Sequence, residues 1–304
     1  MSARTEPSWA AIDVGTNTVL MLVGRVDAAG RIEVGEDHCR TPRLGEGLAR
    51  SGCIAPAAAE RGLRVLEEFA RRLRELGLPA ERTRAVGTAV LRRAANADEF
   101  LERARARSGL ALEVLSEEQE ARLSHLAVAA ERPGSRTAIV DVGGGSTEFT
   151  GADGSARNSI PIGAVVLAES FPRAEDFDAL LATARRAAQA LPEAGAAGET
   201  CVLLGGTAIN LACLESGLER FDHAAVEGSR VRPEAAERWA ERLARLPLER
   251  RLELPIERER ASILHAGLAC AAAALERVRP AEVRVSGRGL RFGLLRELFE
   301  TSAD

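Results

Sequence analysis

A chain of 304 residues is long enough for one large domain or two ordinary ones. With 46% hydrophobic residues, 28% charged residues and a net charge of −4, it has an ordinary globular composition. Nothing global in that charge would recruit a nucleic-acid polymer or an anionic membrane, so any anion site must be local.

All 41 basic residues are arginine and tyrosine is absent, which we read as codon bias. The absence of lysine excludes Schiff-base chemistry and a phosphate-binding loop lysine, while arginine's planar fork still suits phosphate. Cys39, Cys53, Cys201, Cys213 and Cys270 are odd in number, with no C-x-x-C spacing. That predicts small buried thiols in a reduced, cytoplasmic protein rather than a disulfide frame or zinc site. Met1–Ser8 has no apolar core, and no run approaches 18 apolar residues. We therefore expect neither a secretory signal nor a membrane span.

Strands and helices alternate along the chain. Strands are predicted at Trp9–Val14, Thr18–Val26 and Ile32–His38. A helix follows over Ala55–Leu76, with Pro56 in its first turn and a stop at Gly77. Arg84–Val86 reads as a strand, Ala97–Ala106 as a helix and Leu112–Leu115 as a strand. Ser116 then caps a helix to about Ala130. Thr137–Val142, Ser146–Thr150 and Ala156–Ile162 repeat the three-strand opening. The strand Cys201–Leu204, a long helix over Glu259–Val278, the strand Glu282–Val285 and a helix near Leu290–Glu300 complete the pattern; Ala266–Leu275 is apolar enough for a buried helix. Pro133-Gly134-Ser135 is the expected seam. It divides the chain into lobes 1–132 and 133–304, with a C-terminal helix of about 287–304 that could pack back on the first lobe.

An internal echo is the most informative feature. A strand runs into Asp13-Val14-Gly15-Thr16-Asn17-Thr18, and a later one into Val86-Gly87-Thr88. The second half repeats this order with Asp141-Val142-Gly143-Gly144-Gly145-Ser146-Thr147 and Gly205-Gly206-Thr207. Asp141 lies 128 residues after Asp13, and Thr207 lies 119 after Thr88. Two copies of one plan predict two similar lobes facing each other across a cleft.

Glycine turns let backbone N–H groups converge on a phosphate, and the hydroxyls of Thr16, Thr18, Ser146 and Thr147 add donors. Asp13 and Asp141, each at a strand end, would meet across that cleft. Two carboxylates beside a polyanion call for a cation, and Mg²⁺ (or Mn²⁺) suits oxygen ligands. The bland alternative is a pair of tight hairpins with each Asp bonding its own turn. In Leu115-Ser116-Glu117-Glu118-Gln119-Glu120, Ser116 and Gln119 fit a capping box, and the acidic first turn complements the helix dipole. That accounts for Glu120 less well than for its neighbours. Glu148 stands close behind a glycine turn.

These motifs together, D-V-G-T-N-T, V-G-T-A-V-L-R at 86–92, L-S-E-E-Q-E-A-R-L, D-V-G-G-G-S-T-E at 141–148 and G-G-T at 205–207, resemble the exopolyphosphatase/guanosine pentaphosphate phosphohydrolase (Ppx/GppA) family in its short two-domain form. The resemblance runs from Trp9 to about Leu298. It implies an α/β fold of two ribonuclease-H-like lobes of the actin/sugar-kinase superfamily, with the site between them. It implies Glu120 as the base that activates water, Asp141 and Glu148 as metal and water-positioning carboxylates, and Asp13 as the first lobe's metal partner. Asn17, Thr88, Gly143, Gly144, Gly145 and Ser146 match the phosphate cradle, with Gly206 and Thr207 in the G-G-T. Arg43 and Arg92 match basic residues near the phosphate chain, against the alternative of solvated surface charges.

Three positions depart from the family pattern: Gln119 replaces a common glutamate, Leu20 a basic residue and Phe292 the glutamate of L-R-E-G. The expected activity is an exopolyphosphatase acting on inorganic polyphosphate, because Leu20 and Phe292 weaken the contacts a compact nucleotide needs. Guanosine pentaphosphate hydrolysis, an ATP-dependent small-molecule kinase and a guanosine-polyphosphate sensor are the alternatives. A homodimer stays open. The four histidines have no ligand spacing and read as core or surface residues.

Overall fold

The structure, a computed structural model, describes residues 8–27, 30–131, 135–192 and 200–302. The chain divides into two compact units, Met1–Pro133 with Leu290–Asp304, and Gly134–Gly289. Pro133 and Gly134 of the expected seam lie outside the described residues.

The first unit contains β1 (Trp9–Val14), β2 (Val19–Val26), β3 (Ile32–Arg40), α1 (Leu48–Ser51), α2 (Pro56–Glu75), β4 (Thr83–Gly87), α3 (Ala89–Arg93), α4 (Ala97–Ser108), β5 (Leu112–Val114) and α5 (Glu117–Glu131). The second contains β6 (Thr137–Val142), β7 (Thr147–Thr150), β8 (Arg157–Ile160), α6 (Ala164–Ser170), α7 (Phe177–Ala188), β9 (Thr200–Leu204), α8 (Gly205–Ser216), α9 (His223–Val226), β10 (Arg230–Val231), α10 (Pro233–Arg245), α11 (Leu248–Arg251), α12 (Leu264–Val278) and β11 (Glu282–Ser286). The last helix, α13 (Leu290–Ser302), returns to the first unit.

The first sheet has the order β3-β2-β1-β4-β5, with β1, β2 and β3 antiparallel and β4 and β5 parallel to β1. Its strands β1 and β2 are apolar on both faces because both are covered, whereas β3 at the edge is largely exposed. Ala10, Ile12 and Val14 pack with Leu63, Leu66 and Phe69 of α2. Trp9, Ala11, Leu22 and Val86 pack with Leu123 and Ala127 of α5 and with Leu290, Leu294 and Leu295 of α13.

Helix α13 is held by charge as well as packing. Arg291 donates to both oxygens of Asp37 at 3.0 and 2.8 Å, and Glu297 accepts from Arg84 and Arg122. Phe292 is buried in the same core, with the Arg291 guanidinium 4.8 Å from its ring centre. At this position it serves packing.

The second sheet has the order β10-β11-β9-β6-β7-β8, again three antiparallel strands followed by parallel β9 and β11, with β10 added antiparallel at the edge. The duplicated plan read from sequence is therefore present in both units, down to register. Asp13 faces Leu20 across β1–β2, and Asp141 faces Glu148 across β6–β7. The second motif of the echo aligns one residue differently. Gly87 pairs with Val14 and Leu204 with Asp141, which places Gly87 opposite Gly205 in the comparison, so Thr88 corresponds to Gly206 rather than Thr207.

Helix α12 is shorter than its sequence pattern. Arg258–Arg260 forms a 3₁₀ turn, and Ile263 N–H bonds Arg260 O, before the helix starts at Leu264. The polar run before Leu264 stays outside the core, whereas α12 is buried on nearly every side among α6, α7 and α10, where alanine permits close approach. At its start His265 is buried beside Arg251, and burial with that charge pushes its pKa down to about 4. Of the cysteines, Cys201, Cys213 and Cys270 are buried as expected, but Cys39 is exposed and Cys53 partly so. Among the described residues no helix is long and apolar enough to cross a membrane.

The tightest helix contact generates a test. A Cβ at Gly293 of α13 would lie 2.0 Å from the carbonyl oxygen of Leu123 in α5. Gly293→Ala should therefore lower stability by about 1–3 kcal/mol, the usual cost of overpacking, read as a lowered denaturant midpoint. An unchanged midpoint would show that α13 shifts freely on α5.

Candidate active site

In the first unit β1, β4 and β5 are parallel and stop side by side, with Val14, Gly87 and Val114 in register. The chain leaves each strand at this carboxyl edge, where backbone N–H groups lose their sheet partners. After β1 the turn closes by Gly15 N–H to Thr18 O at 2.9 Å, and Thr16 and Asn17 are buried within it. The segment Pro42–Gly47 docks on this turn. Arg43 N–H bonds Asn17 O at 3.0 Å and Gly45 N–H bonds Thr16 O at 2.8 Å. Only glycine fits at 45, because a Cβ there would fall 2.3 Å from Thr16 Cγ2. Arg43 adopts φ 53°, a left-handed conformation uncommon for a side-chain-bearing residue. Its side chain is exposed at the turn's rim. The Asn17 amide nitrogen is buried and has no hydrogen-bond partner among the described residues. Left so, a buried donor costs about 1–3 kcal/mol, and an incoming oxygen acceptor would satisfy it.

Glu120 is delivered by the third of these strand ends. Leu115 N–H bonds Gly87 O at 3.0 Å, and Ser116 then caps α5. The capping box forms in both directions: Gln119 N–H donates to Ser116 Oγ at 3.2 Å, and Ser116 N–H to Gln119 Oε1 at 2.8 Å. An amide does this as well as a carboxylate, so Gln119 departs from the family pattern without loss of the cap. Glu120 comes next along the helix, and Arg92 Nη1 donates to its Oε2 at 2.8 Å. The same nitrogen donates to Leu115 O at 2.8 Å. Burial pushes the Glu120 carboxyl above its ordinary pKa, and the Arg92 charge opposes that rise. Arg92, expected along the phosphate chain, is thus engaged with Glu120. Thr88 is buried at the end of β4. Asp13 lies on the sheet face that carries Trp9 and Ala11, beside Leu20 and beyond it Cys39.

The second unit repeats the edge with different residues. Gly143 N–H bonds Ser146 O at 3.0 Å, as Gly15 bonds Thr18. The carbonyls of Gly143 and Gly144 accept from Ala164 and Val165 of α6, both at 2.9 Å, which pins the turn. A Cβ at Gly163 would lie 2.6 Å from Gly143 O. Gly145 and Ser146 complete the turn, and Glu148 is buried on β7 directly opposite Asp141. Thr147 differs from expectation, since its hydroxyl donates to Ile162 O at 2.7 Å. Gly205, Gly206 and Thr207 form the first turn of α8 rather than a turn between strands. Gly205 has φ +86°, and a Cβ there would stand 3.3 Å from Asp141 Oδ1.

Two features escaped the sequence reading. The Arg260 guanidinium lies against Gly206, where a Cβ would be 2.1 Å from its Cζ, and Glu257 accepts from it. Asn210 ties this corner together through Gly206 O at 2.7 Å and Glu257 N–H at 2.8 Å. In sequence, Glu257-Arg258-Glu259-Arg260 looks like a solvated charge run, and no local signal marks Arg260 out. The loop Ser286-Gly287-Arg288-Gly289 succeeds β11, and its glycines could have been read like those at the other strand ends.

Among the described residues no three His, Cys, Asp or Glu side chains converge as a metal cluster. Asp141 and Glu148 are directly paired on one side of the β6–β7 ladder, next to the Ile139–Thr150 pair. Two like charges directly opposite are unfavourable without a counter-charge. Two carboxylates with substrate and water oxygens are the usual set for Mg²⁺, so the residues present fit that ion.

The sequence profile of the Ppx/GppA phosphatase family matches residues 23–302. The chain belongs to the Ppx/GppA phosphatase family. It is 34% identical over 305 residues to a guanosine-5′-triphosphate,3′-diphosphate pyrophosphatase of Photobacterium profundum, a match that covers 96% of this chain and 59% of that one. The crystal structure of the Aquifex aeolicus Ppx/GppA family member is 30% identical, with a TM-score of 0.79 over 98% of this chain and 100% of that one. A crystal structure described as an exopolyphosphatase-like protein is 26% identical, with a TM-score of 0.86 over 97% and 100%. The chain spans about 59% of the length of the Photobacterium relative.

For this Ppx/GppA chain the Arg92–Glu120 pair sets an expected pH dependence. A base must be deprotonated to act, so kcat/KM should rise with pH through the Glu120 pKa, itself above the ordinary 4.5. Arg92→Gln removes the opposing charge, so the acid limb should move to higher pH. Glu120→Gln should lower kcat by about 10²–10⁴-fold and remove that limb. A pH–rate profile unmoved in Arg92→Gln would show that the pair does not set the base.

Proposed function

We propose that this chain is a phosphoanhydride hydrolase that removes the terminal 5′ phosphate of guanosine 5′-triphosphate 3′-diphosphate by direct attack of water. The observation that carries the hydrolytic reading is the part-buried Glu120 carboxyl, held by Arg92 at the carboxyl edge and raised above its ordinary pKa by desolvation. The name of the Photobacterium relative supports the nucleotide as substrate.

On this route Glu120 accepts the proton of a water whose oxygen forms the new bond to the terminal phosphorus. The anhydride P–O bond breaks, and its electron pair leaves with the shortened substrate. In the first unit the Asn17 amide, the Arg43 guanidinium and the N–H groups of the 15–18 turn are donors for phosphate oxygens, and in the second the N–H groups of the 143–146 turn are the same kind of donor. Thr88, Gly206 and Thr207 line the two further strand ends. Asp141 and Glu148 would hold Mg²⁺ or Mn²⁺, which when bound supplies neutralisation of phosphate charge. Asp13 is the register counterpart of Asp141 in the first unit and is proposed as that unit's cation-facing carboxylate. The chain needs no lysine or cysteine nucleophile for this route. The scattered cysteines favour a reducing, cytoplasmic setting.

Inorganic polyphosphate is a second reading, favoured by one residue. Leu20, directly opposite Asp13, brings no cation to a compact nucleotide, whereas a long chain spreads its charge over many contacts. Phosphate release from both substrates at matched concentration with Mg²⁺ decides between them. We expect the larger kcat/KM for the nucleotide, and a further rise in Leu20→Arg of about 10- to 100-fold, the worth of one charged hydrogen bond. A larger kcat/KM for polyphosphate would reverse the substrate assignment. No release from either substrate would end the hydrolase reading.

A further inference from the structure

The loop after β11 is held by side chains that take no part in the proposed hydrolysis. Glu227 Oε2 accepts the Gly287 N–H at 2.8 Å, across 60 residues of sequence. Its backbone neighbours are fixed to the same strand: Gly228 N–H bonds Val285 O at 3.0 Å, and Val285 N–H bonds Ser229 O at 3.0 Å. Glu227 is therefore carried to the loop by the β10–β11 pairing and does not swing freely. His223, one turn earlier on α9, places Nε2 3.4 Å from the same carboxylate oxygen. Its ring also lies on Gly287, where a Cβ would fall 2.1 Å from Nε2. Gly287 is not in the left-handed region, so its backbone would tolerate a side chain. The ring of His223 fills the space a side chain at 287 would take.

Two residues later the loop reaches Asp141. A Cβ on Gly289 would lie 3.8 Å from Asp141 Oδ2, while Gly205 flanks Oδ1. Ser286 Oγ accepts Arg288 N–H at 3.0 Å and stiffens the stretch between. The result is a chain of contacts from Glu227 and His223 through Gly287 to the loop lying against the carboxylate.

We propose that Glu227 and His223 are positioning residues that clamp the Gly287–Gly289 loop and thereby fix Asp141 for cation and phosphate binding. The proposal rests on the reading of Asp141 as a cation ligand. Support of this kind for a metal-ligating carboxylate is typically worth about 10- to 100-fold in metal affinity or activity.

The test uses the full chain, with Mn²⁺ binding followed by electron paramagnetic resonance, hydrogen exchange of the 283–290 peptide, and phosphate release as a function of Mg²⁺. Glu227→Ala should weaken Mn²⁺ binding about ten-fold and speed exchange in the loop, with little change in thermal midpoint. Glu227→Gln keeps an acceptor oxygen for Gly287 and should retain near-normal binding, which also decides the matter if Glu227→Ala fails to fold. Gly287→Ala should mimic Glu227→Ala, because its methyl collides with His223. The double variant His223→Ala/Gly287→Ala removes the collision and should recover most of the loss. Faster exchange in Glu227→Ala with Mn²⁺ binding unchanged would overturn the link to Asp141. A Gly287→Ala variant that behaves as wild type, or a double variant no better than Gly287→Ala, would overturn the clamp. A wild-type chain that binds no Mn²⁺ would overturn the cation reading of Asp141, and the exchange rates would then judge the clamp alone.

Discussion

A parallel strand that ends level with its neighbours leaves a row of backbone N–H groups without sheet partners, and both units of this chain are organised by that fact. Three strands stop together at Val14, Gly87 and Val114, and three more near Asp141, Leu204 and Ser286. Each strand gives way to a glycine turn or a helix start, because these answer the lost pairing most cheaply. The capped first turn of α5, the pinned 143–146 turn and the start of α8 are three such answers. The chemistry-bearing side chains ride on them.

The duplicated plan is conserved in geometry and divided in chemistry. Asp13 and Asp141 occupy the same hairpin position, but one faces Leu20 and the other Glu148. The second unit therefore carries the paired carboxylates suited to a cation. The first unit instead carries the part-buried Glu120, the proposed base, because α5 comes after β5 there and brings Glu120 against Arg92. The corresponding strand in the second unit is β11, and it leads into the Gly287–Gly289 loop and α13 instead. That helix does not stay with its own sheet. It covers β1 and β2 of the first unit, tied by Arg291 to Asp37.

Much of this was legible in the residues, and the parts that were hidden have local causes. The strands bounded by D-x-G turns were readable to within a residue or two, since glycine and aspartate mark where a ladder must stop. The capping box was readable because it is a contact between residues three apart. Arg260 was not, because its identity depends on Gly206, far away in sequence. The start of α12 was misplaced for a similar reason: periodicity shows which residues could continue a helix, not that Arg258–Arg260 is held in a 3₁₀ turn beside α8. The burial of Phe292 was hidden because a motif position shows no burial, and only the α5–α13 packing supplies it. Arg92 was placed near the phosphate chain by the resemblance alone, and its engagement with Glu120, 28 residues away in sequence, was hidden.

The central claim is that Glu120 directs water, and not another acceptor, to the terminal phosphorus. It is tested most directly by single-turnover hydrolysis of guanosine 5′-triphosphate 3′-diphosphate in ¹⁸O-labelled water, with the products weighed by mass spectrometry. We expect one ¹⁸O atom in the released inorganic phosphate, none in the nucleotide, and loss of labelled phosphate in Glu120→Gln while the substrate still binds. Label in the nucleotide product, or labelled phosphate formed at the wild-type rate by Glu120→Gln, would contradict it.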